Sequence, residues 1–372
     1  MKITSVNYLK TGKNIKIVLG TSLPAFKVRL KTKGKTYSDA FNAEEPFDRK
    51  THVFYIPEKD ISFPSTAELI FCLFKRSKRD YTKKFRLEAN SFADEKELLA
   101  EYDHGIRIIK EEPENLFTGV SFTKFICEDS EKNPVIFSLI KTDLKSSSLY
   151  IGTPDDGYES KKVKATIPDM IASAEKNGRE VLAGVNADFF DIFGDYHPSG
   201  LCVKNGKVVA NENSFRPFIG LKKDGAAVIT DITESPDITG QLLHAAAGLQ
   251  MIVKDGKIFD YAPLEPFSFV RHPRTAAGLT KDGCVLLLEV DGRIPSHSNG
   301  ATLVDLAKFL IALGADRAIN LDGGGSSAVY TILGGEHSLR TVPADLFRPN
   351  DMLIRKDYNA VFVIKDEQKD PF

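Results

Sequence analysis

The chain contains no tryptophan, and its four cysteines, Cys72, Cys127, Cys202 and Cys284, are scattered without a Cys-x-x-Cys pair. That scatter argues against a disulfide framework and reads as buried apolar side chains rather than metal ligands. A His-Glu-x-x-His motif and any Cys/His cluster are missing as well, so nothing marks a transition-metal centre. Neither sign of charge is in excess. Fifty Lys and Arg stand against 51 Asp and Glu, which leaves no global field to favour nucleic acid or an anionic membrane. No apolar run approaches the ~18–20 residues of a membrane span. The opening MKITSVNYLKTGKNIKIVLG alternates polar and apolar residues and holds no hydrophobic signal core. What is present, 42% hydrophobic and 27% charged residues with 25 phenylalanines, is the composition of a globular protein with a Phe-packed core. At 372 residues it exceeds one ordinary core, and two domains are expected.

Residues 1–90 read as short strands, KIVLG, AFKVRLKT, HVFYIP and AELIFCLFKRS, bounded by turn residues and uninterrupted by a helical period. They predict a small all-β, sandwich-like accessory domain. Residues 91–116 read as a short acidic helix in NSFADEKELLAEYDHG followed by a charged linker, KEEPENLFTGV. From 117 to 368 the texture becomes β-rich with two strong helices. IPDMIASAEKNG has Pro168 near its start and Gly178 at its end. ATLVDLAKFLIALGA pairs Thr302 with Asp305 as a cap, is stopped by Gly314, and buries Leu303, Leu306, Leu310 and Leu313. Four Asn-Gly or Asp-Gly turns sit between apolar runs, the strongest short-range hairpin signal. The expected class is α+β: a large mixed, mainly antiparallel sheet with helices packed on it.

Each helix leads into a strand that finishes in Asn-x-Asp, Asn186-Ala187-Asp188 and Asn320-Leu321-Asp322. Two polar pairs ending two apolar strands mark a place where α/β proteins put their sites. After the second comes Asp322-Gly323-Gly324-Gly325-Ser326-Ser327. It lacks the Lys of a phosphate-binding loop and the spacing of a dinucleotide fingerprint. It is either an anion-binding nest of unshielded amides and hydroxyls or a tight turn with an incidental Asp. Arg271 and Arg274 flank Pro273 and could together grip a phosphate, or could be surface arginines of an edge loop; Thr275 is a further donor candidate or a plain strand residue. Phe189 and Phe190 could offer a sugar platform or fill the core, and Asp291 ends the apolar strand CVLLLEV.

Taken in order, NADFF, PSGLCVKNGKVV, RHPRTAAGL, VDGR, the helix with LDGGGSSA and the final RKDYNAVFV resemble the phosphodiester glycosidase family over roughly residues 115–365. That resemblance implies hydrolysis of a sugar-1-phosphodiester, with N-acetylglucosamine-1-phosphodiester as one candidate. By motif it carries over Asn186, Asp188, Arg271, Arg274, Thr275, Asp291, Asp322, Gly324, Ser326 and Asn359. Where this chain has Ala187-Asp188, the family's animal members have Gly-Gly, and their disulfide-rich extension is missing here. Cleavage at an anomeric carbon runs through an oxocarbenium-like state usually served by two carboxylates. Asp188 and Asp322 are therefore expected at the sugar, with Asp291 and Asn186 orienting it. Arg271, Arg274 and the Gly323–Ser327 loop are expected at the leaving phosphate. Asp188, Asp291 and Asp322 could instead hold Ca²⁺ or Mg²⁺, the only cofactors the residues suggest. The expected partner is a carbohydrate phosphodiester, not nucleic acid, and oligomeric state is left open. Because such diesters are typical of envelope polymers, export to the periplasm or cell surface is expected, with the leader outside this chain. Two rivals are a non-catalytic envelope glycan binder and a phosphoesterase cutting the far side of the phosphate.

Overall fold

The computed structural model describes residues 3–11, 14–21, 26–38, 51–61, 65–72, 81–87, 106–129, 131–158, 163–191, 196–211, 215–259, 270–348 and 351–366. The acidic helix expected in residues 90–105 lies outside these ranges. The chain divides into two compact units, Met1–Asp103 and His104–Phe372.

In the first unit the described strands form two antiparallel sheets. One runs Ile3–Thr11, Asn14–Thr21, Thr51–Pro57; the other runs Lys35–Ser38, Phe26–Thr32, Ser65–Cys72, Tyr81–Leu87. Alternate residues such as Val28 and Leu30, Phe54 and Ile56, and Ala67, Leu69 and Phe71 share one core, the period-two signature of strands with one buried face.

The second unit is layered helix, sheet, sheet, helix. An eight-stranded sheet runs Lys257–Ile258, Gln250–Lys254, Ala315–Asn320, Arg274–Thr280, Val285–Val290, Pro134–Thr142, Val120–Glu128, Arg107–Phe117. A five-stranded sheet runs Ser147–Gly152, Ala360–Lys365, Val181–Asn186, Val329–Leu333, Glu336–Leu339. Between them lies the main core, with Leu287, Ile140, Ala277 and Ile319 from one side and Val185, Val329, Val361 and Val363 from the other. A second five-stranded sheet, Lys207–Asn211, Leu201–Lys204, Leu242–Ala247, Phe218–Lys222, Ala227–Thr230, adds Cys202, Ile219 and Ala246 to that core. The single large mixed sheet of the sequence reading is thus several sheets. Their described pairings are all antiparallel, and Asn-Gly or Asp-Gly turns make four of them hairpins in which a strand returns beside its predecessor.

Both helices form as their end signals dictate. Helix Ile167–Lys176 has a capping box between Thr166 and Asp169, and helix Leu303–Ala312 has one between Thr302 and Asp305. Gly178 and Gly314, just past their ends, have φ of +78° and +93°, a left-handed conformation that suits glycine. The second helix buries Leu303, Leu306 and Leu310 on the outer face of the eight-stranded sheet, where Phe309 stacks on Phe137 at 4.2 Å. The first lays Met170, Ile171 and Ala174 on the outer face of the five-stranded sheet.

One boundary shifts. Residues 107–117, read as linker, form the edge strand of the eight-stranded sheet, paired with Val120–Glu128. Pro113 discourages helix and an edge strand tolerates it, since it has no N–H to give a neighbour. Dense charge and the proline together read as a linker in the sequence alone.

Candidate active site

The two Asn-x-Asp strand ends belong to different sheets and dock on each other. Asn186 Nδ2 donates to the Asp322 carbonyl at 2.7 Å, and the Asp322 N–H donates to the Ala187 carbonyl at 2.9 Å. Asn186 Oδ1 accepts from the Thr275 hydroxyl at 2.7 Å and from the Ala328 N–H at 3.2 Å. Its amide therefore clamps three segments together, and Thr275 serves that clamp. Asn359 plays the same part for the other acid: its Oδ1 accepts the Asp188 N–H at 2.9 Å, and its Nδ2 reaches Cys202 Sγ at 3.5 Å. These polar side chains hold backbone in place, and the carboxylates are what they position.

Three carboxylates meet at this junction. Asp188, Asp322 and Asp357 are close enough that Asp322 raises the proton affinity of each of the others. Asp188 is 2% exposed, and neither of its oxygens has a hydrogen-bond partner among the described residues. Burial pushes its carboxyl well above the usual range, opposed by the nearby Asn359 amide, Ala247 N–H and Arg216 guanidinium. Asp357 is raised in the same way by burial and by Asp322, with one oxygen unpartnered. Asp322 differs. Its Oδ1 accepts the Gly323 N–H at 2.8 Å, and Ser326, Arg355 and Arg293 stand near, so burial lifts it only to about 6.

The glycine run makes room chiefly for the protein itself. A Cβ on Gly323 would lie 2.8 Å from the Pro273 carbonyl, and one on Gly324 would lie 3.0 Å from the Arg293 guanidinium. One on Gly325 would collide with the Asp345 carboxylate. Gly324 also has φ of +65°, and Arg293 itself sits at +62°, a costly conformation for a residue with a side chain. The sequence fixes Gly323 against the backbone of the Arg-His-Pro-Arg segment, where Gly324 N–H donates to the Pro273 carbonyl at 2.9 Å. That contact joins the two most distinctive motifs of the chain.

The side chains of that Arg segment turn elsewhere. Arg271 bonds the Gly300 carbonyl at 2.9 Å and pairs with Asp305 at 3.3 Å and Asp129 at 3.8 Å. Arg274, 5% exposed, donates to the carbonyls of Ala301 at 2.8 Å and Val270 at 2.7 Å, and burial lowers it to about 9. Asp291 also faces away from an open position. It accepts from His297 at 2.6 Å and from the Val342 N–H at 2.9 Å, while its carbonyl takes the Ser298 hydroxyl at 2.6 Å. The expected convergence of five residues therefore contracts to Asp188 and Asp322, joined by groups the sequence reading passed over. Among the described residues no set of three or more His, Cys, Asp or Glu is arranged to hold a metal ion, and Asp188, Asp291 and Asp322 do not make one. Of the paired aromatics, Phe190 is buried in the core, and Phe189 is half-buried with Arg216 over its ring at 6.0 Å.

Four residues missing from the sequence reading complete the junction: Arg216, Arg293, Arg355 and Asp357. Arg293 stands in VDGR, and Arg355 and Asp357 stand in RKDYN, so their motifs were visible but attention went to Asp291 and Asn359. Arg216 precedes Pro217 at the start of a strand, the same Arg-and-Pro arrangement that singled out Arg271 and Arg274. A pocket opens beside the carboxylates between Ser326, Ser327, Arg355 and Asp357, with Ile167, Tyr330 and Leu339 among its walls. The buried hydroxyls of Ser327 and Tyr330 and one oxygen of Asp357 have no partner there among the described residues. Such orphans cost folding energy unless a polar ligand or water meets them.

The description of the phosphodiester glycosidase family matches residues 179–364, half of the chain. The chain belongs to that family. The matched span holds every acid and arginine of the junction. Among curated members, the chain is 24% identical over 188 residues to mouse N-acetylglucosamine-1-phosphodiester alpha-N-acetylglucosaminidase, covering 46% of this chain and 35% of that protein. It is 25% identical over 195 residues to the human protein of the same name, covering 46% of this chain and 36% of that one. The chain thus spans about a third of the length of these curated relatives. Its fold is similar to the solved catalytic domain of the zebrafish enzyme of that name, auto-inhibited by its pro-peptide: TM-score 0.55 at 22% identity, covering 70% of this chain and 89% of that one. No helix among the described residues is long and apolar enough to cross a membrane.

Proposed function

We propose that this phosphodiester glycosidase family member is a hydrolase that cleaves the bond between an anomeric carbon and a phosphodiester oxygen. The observation that carries this reading is the pairing of two unlike buried acids with arginines at a glycine turn. Asp322, lifted to about 6, is largely ionised at neutral pH, while burial pushes the Asp188 carboxyl well above the usual carboxylate range. Environments that push two carboxyls apart assign one as base and the other as acid. Asp322 then acts at the anomeric carbon, as base toward water or as nucleophile. The C–O bond to phosphate breaks, and Asp188 gives its proton to the departing oxygen. A phosphate monoester leaves well without much acid help, so stabilising its charge is the larger task. Arg293 and Arg355, beside Asp322, take the role first expected of Arg271 and Arg274. The orphaned hydroxyls of Ser327 and Tyr330 suit the hydroxyls or amide of a sugar, N-acetylglucosamine among them. We further propose an exported enzyme of envelope glycan metabolism, with residues 1–90 as an accessory β module.

Two measurements test this. Asp322→Asn should lower turnover of a sugar-1-phosphodiester by about 10²–10⁴-fold with the fold unchanged. Because Asp322 must be ionised to act, kcat/KM of the unmutated protein should fall as pH drops through about 6. Wild-type turnover in the variant removes Asp322 from the mechanism. Free sugar with a phosphate monoester supports the glycosidase; sugar-1-phosphate supports the phosphoesterase. Binding without turnover supports a glycan-binding protein.

A further inference from the structure

Asp345 has no part in the chemistry above, yet it sits against its machinery. Its carboxylate takes the position that a Cβ on Gly325 would need, against the backbone of the glycine turn. Arg355 grips one oxygen twice, through Nε at 3.0 Å and through Nη2 at 2.6 Å, and Arg293 approaches the other at 4.0 Å. The same Arg355 also reaches the Ser326 hydroxyl at 3.4 Å. Two guanidiniums and a serine hydroxyl are a donor set that proteins use for a phosphate group, and the glycine turn beside them, whose Gly324 and Ser326 N–H groups are given to the Pro273 and Gly323 carbonyls, holds the hydroxyl in place. Here that set surrounds a carboxylate of the protein's own chain.

We infer that Arg293, Arg355 and the Ser326 hydroxyl form an anion seat for the substrate's phosphate, and that Asp345 is its built-in occupant, displaced when phosphate arrives. The inference rests on the phosphodiester reading for the identity of the natural ligand, but the seat itself is read from the contacts. A carboxylate carries one negative charge and two acceptor oxygens, enough to satisfy both arginines while the site is empty. A phosphate group offers more acceptors in a tetrahedral array and can engage both arginines and the Ser326 hydroxyl together. Asp345 therefore keeps two cations from standing unpaired beside Asp322, and it sets a threshold that a weakly held anion does not cross. Being tethered, it competes at a fixed effective concentration, so its removal should appear directly as tighter anion binding.

Inorganic phosphate is the probe, titrated calorimetrically into the full chain and its variants in the absence of any sugar. Asp345→Asn and Asp345→Ser should each bind phosphate about tenfold or more tightly than the unmutated protein, with a matching rise in melting temperature on phosphate addition. Adding Arg355→Gln to either should abolish the gain. Phosphate affinity unchanged or weakened in both single variants overturns the inference, as does a gain that survives loss of Arg355. If both variants fail to fold by circular dichroism, the inference is equally overturned, since a residue the fold requires is not a displaceable occupant. None of these readouts uses turnover. A protein that shows tighter phosphate binding but releases no sugar would retain the seat and lose the hydrolase reading.

Discussion

Two clusters of buried charge lie in the same unit, and their surroundings treat them in opposite ways. At the first, Lys204 is wholly buried, with Nζ donating to the Ile151 carbonyl and the Thr153 hydroxyl, each at 2.9 Å, and to the Asp156 carboxylate. The Tyr150 hydroxyl completes the set, donating to both oxygens of Asp156 at 2.9 and 3.0 Å. Every donor of the lysine has a taker. At the second, among the described residues, Asp188 has no partner for either oxygen, and Asp357 lacks one for an oxygen of its own. One cluster is a buried cation with all its donors satisfied, and the other holds carboxyls that burial pushes well up and that lack partners among the described residues. The first ties the turn at Pro154–Asp156 to the strand Leu201–Lys204; the second is the cluster to which the proposed function assigns the chemistry.

Breaking the satisfied cluster should have the larger effect. Lys204→Met strands the Asp156 carboxylate in the interior and is expected to destabilise the protein by about 3–5 kcal/mol, the usual cost of removing one partner of a buried pair. Removing both charges together, in Lys204→Met with Asp156→Leu, should recover most of that loss. Urea unfolding of the three proteins measures it. A single variant as stable as the double would mean that the pair carries no structural load.

The unsatisfied cluster should respond in the reverse sense. Asp188→Asn removes a buried acid that lacks partners, so the variant should unfold no more easily than the parent while losing about 10²-fold in kcat, near 3 kcal/mol of barrier. A melting temperature several degrees lower, with activity retained, would reverse the roles assigned to the two clusters.

Much of this contrast could be read from local sequence, because its framework is local. Capping boxes, terminal glycines and Asn-Gly or Asp-Gly turns act within a few residues, and both helices and the four hairpins with such turns stand where those signals put them. The two Asn-x-Asp ends were legible for the same reason, though not that they clasp each other. Which arginine faces which acid depends on contacts between distant segments. Arg271 looked like an anion ligand, but Asp305 of the neighbouring helix cap and Asp129 draw it away. Arg293 enters the site from a left-handed backbone position that no local rule demanded. The glycines suggested an empty space for a ligand, and the chain fills that space with Pro273, Arg293 and Asp345. Residues 107–117 carry no alternating pattern, only dense charge and a proline, so their place as an edge strand depends on the partner strand Val120–Glu128 and not on local sequence.

A third buried acid provides the smallest and sharpest test of the comparison. Glu289 lies on the central strand Val285–Val290, facing cross-strand neighbours Ser138 and Thr275 on the core side of the eight-stranded sheet. It is 1% exposed with both oxygens unpartnered among the described residues, and burial, then Asp291, raises it well above the usual range. It resembles Asp188 in environment, yet no arginine contact places it at the junction. A carboxyl raised on folding stabilises the fold below its unfolded pKa and loses that contribution as pH rises through the folded pKa. Glu289→Gln, which stays neutral, should therefore match the parent at pH 4 and gain about 1 kcal/mol as pH rises toward 8. The proposed mechanism gives Glu289 no step, so kcat should stay within twofold. Equal stability curves at both pH values would show that Glu289 finds a partner in solution. A large fall in kcat would extend the reactive cluster to include it.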